Sequence, residues 1–193
     1  MNLYKFGKLV CSVIFYPLYR IKVYGKENIP SNGPVIICSN HISNLDPPIV
    51  GITSSRDIYF MAKEELFRNK FLNKLLTGLH AFPVKRGMRD RNALRQGLKA
   101  LDDGETLGLF PEGTRSKDGK VGKGLAGAGF FALRSEASVV PCAIIGPYKK
   151  FKSLKVVYGK PIDLTAMREE KASAQVVTDL IMSEIEKLTK KQV

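Results

Sequence analysis

Short apolar runs alternate with segments of helical periodicity along the chain. Continuous apolar runs bounded by turn residues are typical of buried strands, and alternating patterns are typical of edge strands. These two patterns predict strands within residues 20–25, 34–39, 57–62, 80–85, 106–110, 138–145 and 154–162.

The segments between these runs carry apolar residues at helical spacing, which predicts amphipathic helices. They cover residues 63–79, 89–105 and 129–136, and a C-terminal stretch whose apolar face runs from Val176 to Leu188. Strands alternating with helices favour a single α/β domain with a largely parallel or mixed central sheet flanked by helices. Ligands of such sheets bind beyond the carboxyl ends of the strands, so candidate chemistry is expected there.

The N-terminal segment, residues 1–19, contains an apolar run from Leu9 to Tyr16 that Pro17 closes. This run is too short to cross a bilayer, which takes about 20 apolar residues. Lysines with aromatic residues around them favour an amphipathic helix in the membrane interface; these residues are Lys5, Lys8, Tyr4, Phe15, Tyr16 and Tyr19. The alternative is a helix packed on the protein's own core.

The chain is strongly basic, with 31 lysines and arginines against 18 acidic residues and a net charge of +13. This excess predicts affinity for polyanions such as nucleic acid, an anionic membrane or a phosphorylated ligand. A nucleic-acid-binding module is the alternative from another class, but the sequence carries no helix-turn-helix, zinc-finger or RNP-like signature. The three cysteines form no C-x-x-C pair and are interpreted as reduced, mostly buried residues.

The segment SNHISNLDPP places His41 five positions before Asp46. On a regular helix this spacing would turn the two side chains far apart. We therefore expect a loop after the strand at 34–39, with Asp46 as the N-cap of a helix that begins at Pro47 or Pro48. The carboxylate can then hold one imidazole nitrogen and leave the other to accept a proton. Alternatively, His41 only bonds loop backbone and Asp46 only caps.

Two further predicted strands end in basic or polar residues, although FPVKRG by itself is an ordinary basic loop. The segment FPVKRG brings Lys85 and Arg86, and FPEGTRS brings a tight turn at Gly113 followed by Thr114 and Arg115. A glycine turn exposes backbone N–H groups, and an arginine grips a phosphate through two hydrogen bonds. Glu112 either holds Arg86 or Arg115 or accepts a hydrogen bond from a substrate hydroxyl.

Other polar residues favour different interpretations. A metal hydrolase needs more ligands than His41 and the distant His80 supply. Cys38 lies within an apolar strand, so a structural role is expected rather than a nucleophilic one. The segment 148–155, YKKFKSLK, interleaves aromatic and basic residues; it either contacts a membrane or carrier protein or is a solvated edge.

Four ordered segments resemble the 1-acyl-glycerol-3-phosphate O-acyltransferases: NHISNLD, FPVKRG, FPEGTRS and VVPCAI. The resemblance extends over roughly residues 23–162, including the lead-in YGKENIP. It implies a glycerol-3-phosphate acyltransferase-like fold, with residues 20–193 as the acyltransferase domain and residues 1–19 as a membrane-interface helix. The first segment alone is shared with other glycerolipid and lipid A acyltransferases, so a different lysolipid acceptor is the alternative.

The resemblance also implies roles for individual residues. His41 would be the general base and Asp46 the residue that orients it. Phosphate and glycerol would be bound by Lys85, Arg86, Glu112, Gly113, Thr114 and Arg115. The expected reaction acylates lysophosphatidic acid at the sn-2 hydroxyl, with acyl-coenzyme A or acyl carrier protein as cosubstrate and with no metal or other cofactor. The expected location is the cytoplasmic face of the cell membrane, bound to anionic lipid, with no nucleic-acid partner.

Overall fold

Seven strands form one sheet in the computed structural model, which describes residues 2–85, 90–116 and 118–190. They are β1 Lys22–Tyr24, β2 Val35–Ser39, β3 Ile58–Lys63, β4 Ala81–Val84, β5 Thr106–Leu109, β6 Ser138–Ile145 and β7 Lys155–Tyr158. Their order is β1-β7-β6-β2-β5-β3-β4, and each neighbouring pair is parallel except β6 and β7. The predicted mixed, largely parallel sheet is confirmed. The carboxyl ends of β2 to β6 all lie along the same edge of the sheet, which runs across the strands.

Helices lie between the strands and at both ends of the described chain. They are α1 Leu3–Tyr19, α2 Asp46–Thr53, α3 Lys70–Gly78, α4 Arg91–Asp102, α5 Gly127–Arg134, α6 Thr165–Glu169 and α7 Ala174–Lys190. The single helix predicted over 63–79 is wrong, because a 3₁₀ turn at Glu64–Phe67 precedes α3. Asn69 separates the two pieces, since its side chain accepts hydrogen bonds from the backbone N–H groups of Phe71 and Leu72 and so starts a new helix.

Alternate residues of the central strand β2 face two different cores, as the pleat of a strand requires. Ile36 and Cys38 belong to one core, formed with α4, α5 and α7. Val35 and Ile37 belong to the other, formed with α1 and α2. Because both faces are covered by helices, the site has to lie at an edge of the sheet rather than on a face.

Helix α1 has apolar side chains on two sides. Tyr4 and Tyr19 are buried, while Phe15 and Tyr16 pack half-buried in the core shared with α2. The helix forms as predicted, and this side of it packs on the protein's own core, as the alternative interpretation had it. A separate stripe on α1 is exposed, consisting of Leu3, Phe6, Leu9, Val10, Val13 and Ile14. In the described part of the chain, no helix combines the length and apolarity needed to span a bilayer.

Candidate active site

His41 and Asp46 meet directly in the loop that follows β2. The imidazole Nδ1 of His41 lies 2.7 Å from Oδ2 of Asp46, and both residues are buried. Just before them, the side chain of Asn40 bonds both the N–H and the carbonyl of Ile144 in β6, at 2.8 and 3.0 Å. These two bonds fix the end of β2 against β6 and so set where the loop begins.

Asp46 does not cap α2 as the sequence predicts. The N-cap is Leu45, and Asp46 is the first residue of the helix. A capping side chain serves the N–H groups of the second and third helical residues, and here those residues are Pro47 and Pro48, which have none. The next residue, Ile49, donates its N–H to the carbonyl of Leu45, and the Asp46 carboxylate turns back into the loop instead.

The Asp46 carboxylate accepts four hydrogen bonds. Oδ2 accepts from the backbone N–H groups of Ile42 and Ser43, at 2.6 and 2.7 Å, in addition to His41. Oδ1 accepts from the hydroxyl of Tyr148 at 2.6 Å. These donors offset the cost of burying the carboxylate charge. With the Nδ1 proton of His41 held by Oδ2, Nε2 is the ring nitrogen left to accept a proton.

An aromatic wall borders the His41 ring. Phe110, the residue after β5, stacks on the imidazole with ring centroids 4.3 Å apart. Phe60 of β3 stacks on Phe110 at 6.0 Å. The wall supports one face of the imidazole and limits how far the ring can tilt away from Asp46.

The turn after β5 is bonded to the backbone of His41 on both sides. Oε1 of Glu112 accepts the His41 N–H at 3.2 Å, and the Ser116 N–H donates to the His41 carbonyl at 2.7 Å. Gly113 adopts a φ of 68°, which favours glycine, and its N–H closes the turn on the carbonyl of Phe110. Thr114 and Arg115 lie exposed within this turn, so the structure brings them next to the His41–Asp46 pair.

Glu112 accepts a hydrogen bond from the backbone of His41. Burial raises the pKa of its carboxyl, and the backbone N–H groups of His41 and Gly122 act in the opposite direction. Within residues 2–85, 90–116 and 118–190, neither Glu112 nor Arg115 takes part in a salt bridge. Of the alternatives predicted for Glu112, an ion pair with Arg115 is therefore not formed, and a contact with Arg86 lies outside the described residues.

Lys85 follows the edge strand β4, at the same edge of the sheet as His41. Its ammonium lies 3.6 Å from Glu64 in an exposed pair. Three strand spacings separate β4 from β2, which is about 14 Å. Lys85 can therefore reach a substrate group remote from the reacting atoms, but not the atoms themselves. Arg86, the other predicted residue of this segment, lies outside the described residues.

The buried thiols are unsuited to nucleophilic chemistry. Cys38 and Cys142 are fully buried, and burial raises the pKa of Cys142 to about 12. A thiolate is the reactive form, so the expected structural role of Cys38 fits its environment. Among the described residues, no group of three His, Cys, Asp or Glu side chains is arranged to hold a metal ion.

Sequence reasoning missed Tyr148 and Phe110. Tyr148 belongs to the basic, aromatic segment at 148–155, whose composition suggests contact with a membrane or carrier; the structure turns its hydroxyl inward onto Asp46. A signal was available for Phe110 only, since it begins the FPEGTRS segment directly after a buried strand.

Comparison with known proteins identifies close counterparts. A family model described as Acyltransferase matches residues 20–145. The 1-acyl-sn-glycerol-3-phosphate acyltransferase of Bacillus subtilis is 35% identical over 167 residues, which is 83% of this chain and 82% of that protein. The chloroplastic 1-acyl-sn-glycerol-3-phosphate acyltransferase LPAT1 of Arabidopsis thaliana is 34% identical over 147 residues, which is 74% of this chain and 41% of that protein.

A solved structure has the same fold. The 1-acyl-sn-glycerophosphate (LPA) acyltransferase PlsC from Thermotoga maritima superposes with a TM-score of 0.74 at 28% identity. The alignment covers 99% of this chain and 80% of that one. The likeness therefore includes α1 as well as the sheet and the loops that carry the site.

Proposed function

The chain belongs to the acyltransferase family, and we propose that it transfers an acyl group from a thioester to the sn-2 hydroxyl of 1-acyl-sn-glycerol 3-phosphate. The product is phosphatidic acid, a precursor of phospholipids. The observation that carries the proposal is the 2.7 Å contact between His41 and Asp46 beside the turn at Gly113 to Arg115. The names of the relatives from Bacillus subtilis and Thermotoga maritima support the same acceptor.

In the proposed reaction, Nε2 of His41 is the general base. It takes the proton of the sn-2 hydroxyl while that oxygen attacks the thioester carbonyl carbon. The tetrahedral oxyanion then collapses, the carbon–sulfur bond breaks, and Nε2 returns its proton to the departing thiolate. Asp46 keeps the imidazole in the required tautomer and stabilises its protonated form between the two steps.

The acceptor phosphate is proposed to bind at the turn after β5 and at the end of β4. Arg115 is exposed beside the histidine and offers a planar pair of donors that matches a phosphate. Thr114 supplies a hydroxyl within the same turn, and Gly113 sets the shape of the turn. Lys85 and Arg86 add positive charge further along the sheet edge.

The acyl donor is proposed to be acyl-coenzyme A or acyl carrier protein. Both are anionic, and the net charge of +13 attracts either one. The thioester supplies the activated carbonyl, so no further cofactor is needed for the step.

Helix α1 is proposed to attach the enzyme to the cytoplasmic face of the cell membrane. Its exposed apolar stripe adjoins α3, because Gly78 packs against Leu3 and Gly7 against Leu79. Phe71 of α3 is 76% exposed, which extends the apolar surface beyond α1. Lysines around such a surface add attraction to anionic lipid of about 1 kcal/mol each. Lysophosphatidic acid is itself a membrane lipid, so attachment brings the enzyme to its acceptor.

The test is an assay panel with purified protein. Both acyl donors are combined with lysophosphatidic acid and with other lysolipids, and products are identified by mass. We expect phosphatidic acid as the main product. Preferential acylation of a lysolipid that lacks the phosphate would overturn the choice of acceptor, and transfer to none of the lysolipids would overturn the acyltransferase activity.

A further inference from the structure

Tyr148 lies in the connection between β6 and β7, 102 residues after Asp46. Its hydroxyl donates to Oδ1 of Asp46 at 2.6 Å, whereas the other three donors all meet Oδ2. Among the described residues, Tyr148 is thus the sole hydrogen-bond partner of Oδ1. Rotation about the Cβ–Cγ bond would move both oxygens away from their donors, so the donor on Oδ1 adds to the restraint that the three donors on Oδ2 impose.

The Tyr148 side chain is held by the end of α1. Its ring meets the ring of Tyr19 edge to face, with centroids 5.4 Å apart. Two backbone hydrogen bonds join the same connection to α1, from Phe151 N–H to the carbonyl of Leu18 at 2.7 Å and from Leu154 N–H to that of Tyr19 at 2.9 Å. The phenol is therefore in place before any substrate binds.

The hydroxyl acts as a donor under all ordinary conditions. Burial, followed by the nearby charge of Asp46, raises the pKa of Tyr148 well above its usual range. The phenol consequently stays protonated, and an ionised carboxylate can only accept.

We propose that Tyr148 is a positioning residue, which fixes the plane of the Asp46 carboxylate so that Oδ2 meets Nδ1 of His41. Tyr148 acts through Asp46 and does not touch the reacting atoms. This inference rests on the proposed function for its kinetic test, while a spectroscopic test is independent of any substrate.

The kinetic test compares Tyr148→Phe with Tyr158→Phe. The first keeps the ring and removes the bond to Asp46. The second removes a buried hydroxyl that bonds Oγ1 of Thr53 at 2.8 Å and the carbonyl of Val50 at 3.3 Å rather than Asp46. We expect kcat to fall about tenfold or more in Tyr148→Phe with KM for the acceptor within about twofold, because a hydrogen bond to a charged group is lost without a change in binding. Tyr158→Phe is expected to keep the wild-type kcat.

The spectroscopic test uses the fact that the chain has two histidines, His41 and His80. In protein carrying ¹⁵N-labelled histidine and the substitution His80→Asn, every imidazole signal comes from His41. We expect the chemical shift of the Nδ1 proton of His41 to change in Tyr148→Phe and to keep its wild-type value in Tyr158→Phe. An unchanged chemical shift of the Nδ1 proton together with an unchanged kcat in Tyr148→Phe would overturn the role of Tyr148. Absence of lysolipid acylation by the wild type, with the shift still observed, would overturn the proposed function alone.

Discussion

The backbone N–H of Ser116 donates to the carbonyl oxygen of His41 at 2.7 Å. Glu112 accepts a hydrogen bond from the N–H of the same histidine. The turn after β5 is therefore bonded to both backbone polar groups of His41. The proton-accepting group and the residues proposed to hold the phosphate are consequently one rigid unit. A substrate anchored at this turn presents its hydroxyl at a fixed distance from the imidazole.

Removing the base should nearly abolish turnover. We expect His41→Ala to lower kcat by about 10²–10⁴-fold, the usual contribution of a positioned base. The control is His80→Asn. His80 is sandwiched between Tyr4 and Tyr59 and has a φ of 58°, a conformation that asparagine tolerates. Steady-state assays with lysophosphatidic acid check both variants, and near-wild-type turnover by His41→Ala would exclude His41 as the base.

The charge of Asp46 should matter more than its shape. Asp46→Asn keeps an oxygen for the N–H groups of Ile42 and Ser43 but loses the charge that stabilises a protonated imidazole. We expect kcat to fall by about 10²-fold or more with the fold retained. Thermal unfolding measured alongside the assay separates lost chemistry from lost structure. Full activity in a folded Asp46→Asn protein would contradict the mechanism.

Arg115 should affect acceptor binding rather than chemistry. We expect Arg115→Gln to raise KM for lysophosphatidic acid about tenfold or more, because a charge-assisted bond to the phosphate is lost. Arg95→Gln removes an exposed arginine from α4 and the same charge, so it controls for general electrostatic attraction. Equal changes in the two variants would show that Arg115 contributes only net charge.

Glu112 should make stability depend on pH. Burial raises the pKa of its carboxyl above the ordinary value of 4.5, so the folded state binds the proton more tightly than the unfolded state does. The stabilising contribution is therefore complete below pH 4.5 and is lost as pH rises through the folded-state pKa. We expect the melting temperature of Glu112→Gln to rise relative to that of the wild type as the pH is raised from 4 to 7. A constant difference across this range would contradict the expectation.

Membrane binding should depend on the exposed stripe of α1. Deleting residues 1–19 would also uncover the core around Tyr4 and Tyr19, so point variants are the sharper test. We expect Phe6→Ser with Val13→Ser to reduce sedimentation with anionic vesicles about tenfold or more, since each side chain contributes roughly 1.5–3 kcal/mol when buried. Val176→Ser, at an equally exposed apolar position on α7, should change nothing.

The sequence predicts some parts of this structure and not others, for physical reasons. Strands such as β2 and β5 are visible because buried strands need continuous apolar runs. The meeting of His41 and Asp46 is predictable because their spacing requires a loop after β2, whereas the cap is not, because α2 begins one residue earlier than the prolines indicate, at Asp46. Tyr148 is hidden, since its contact with Asp46 arises only from the antiparallel turn between β6 and β7.

The placement of Tyr148 has a consequence for the order in which the enzyme becomes competent during synthesis. His41 and Asp46 leave the ribosome almost together, but the tyrosine follows 102 residues after Asp46. A nascent chain thus carries the histidine and the aspartate before the tyrosine that contacts the aspartate. The full set of contacts to Asp46 is complete only when the connection between β6 and β7 has packed against α1.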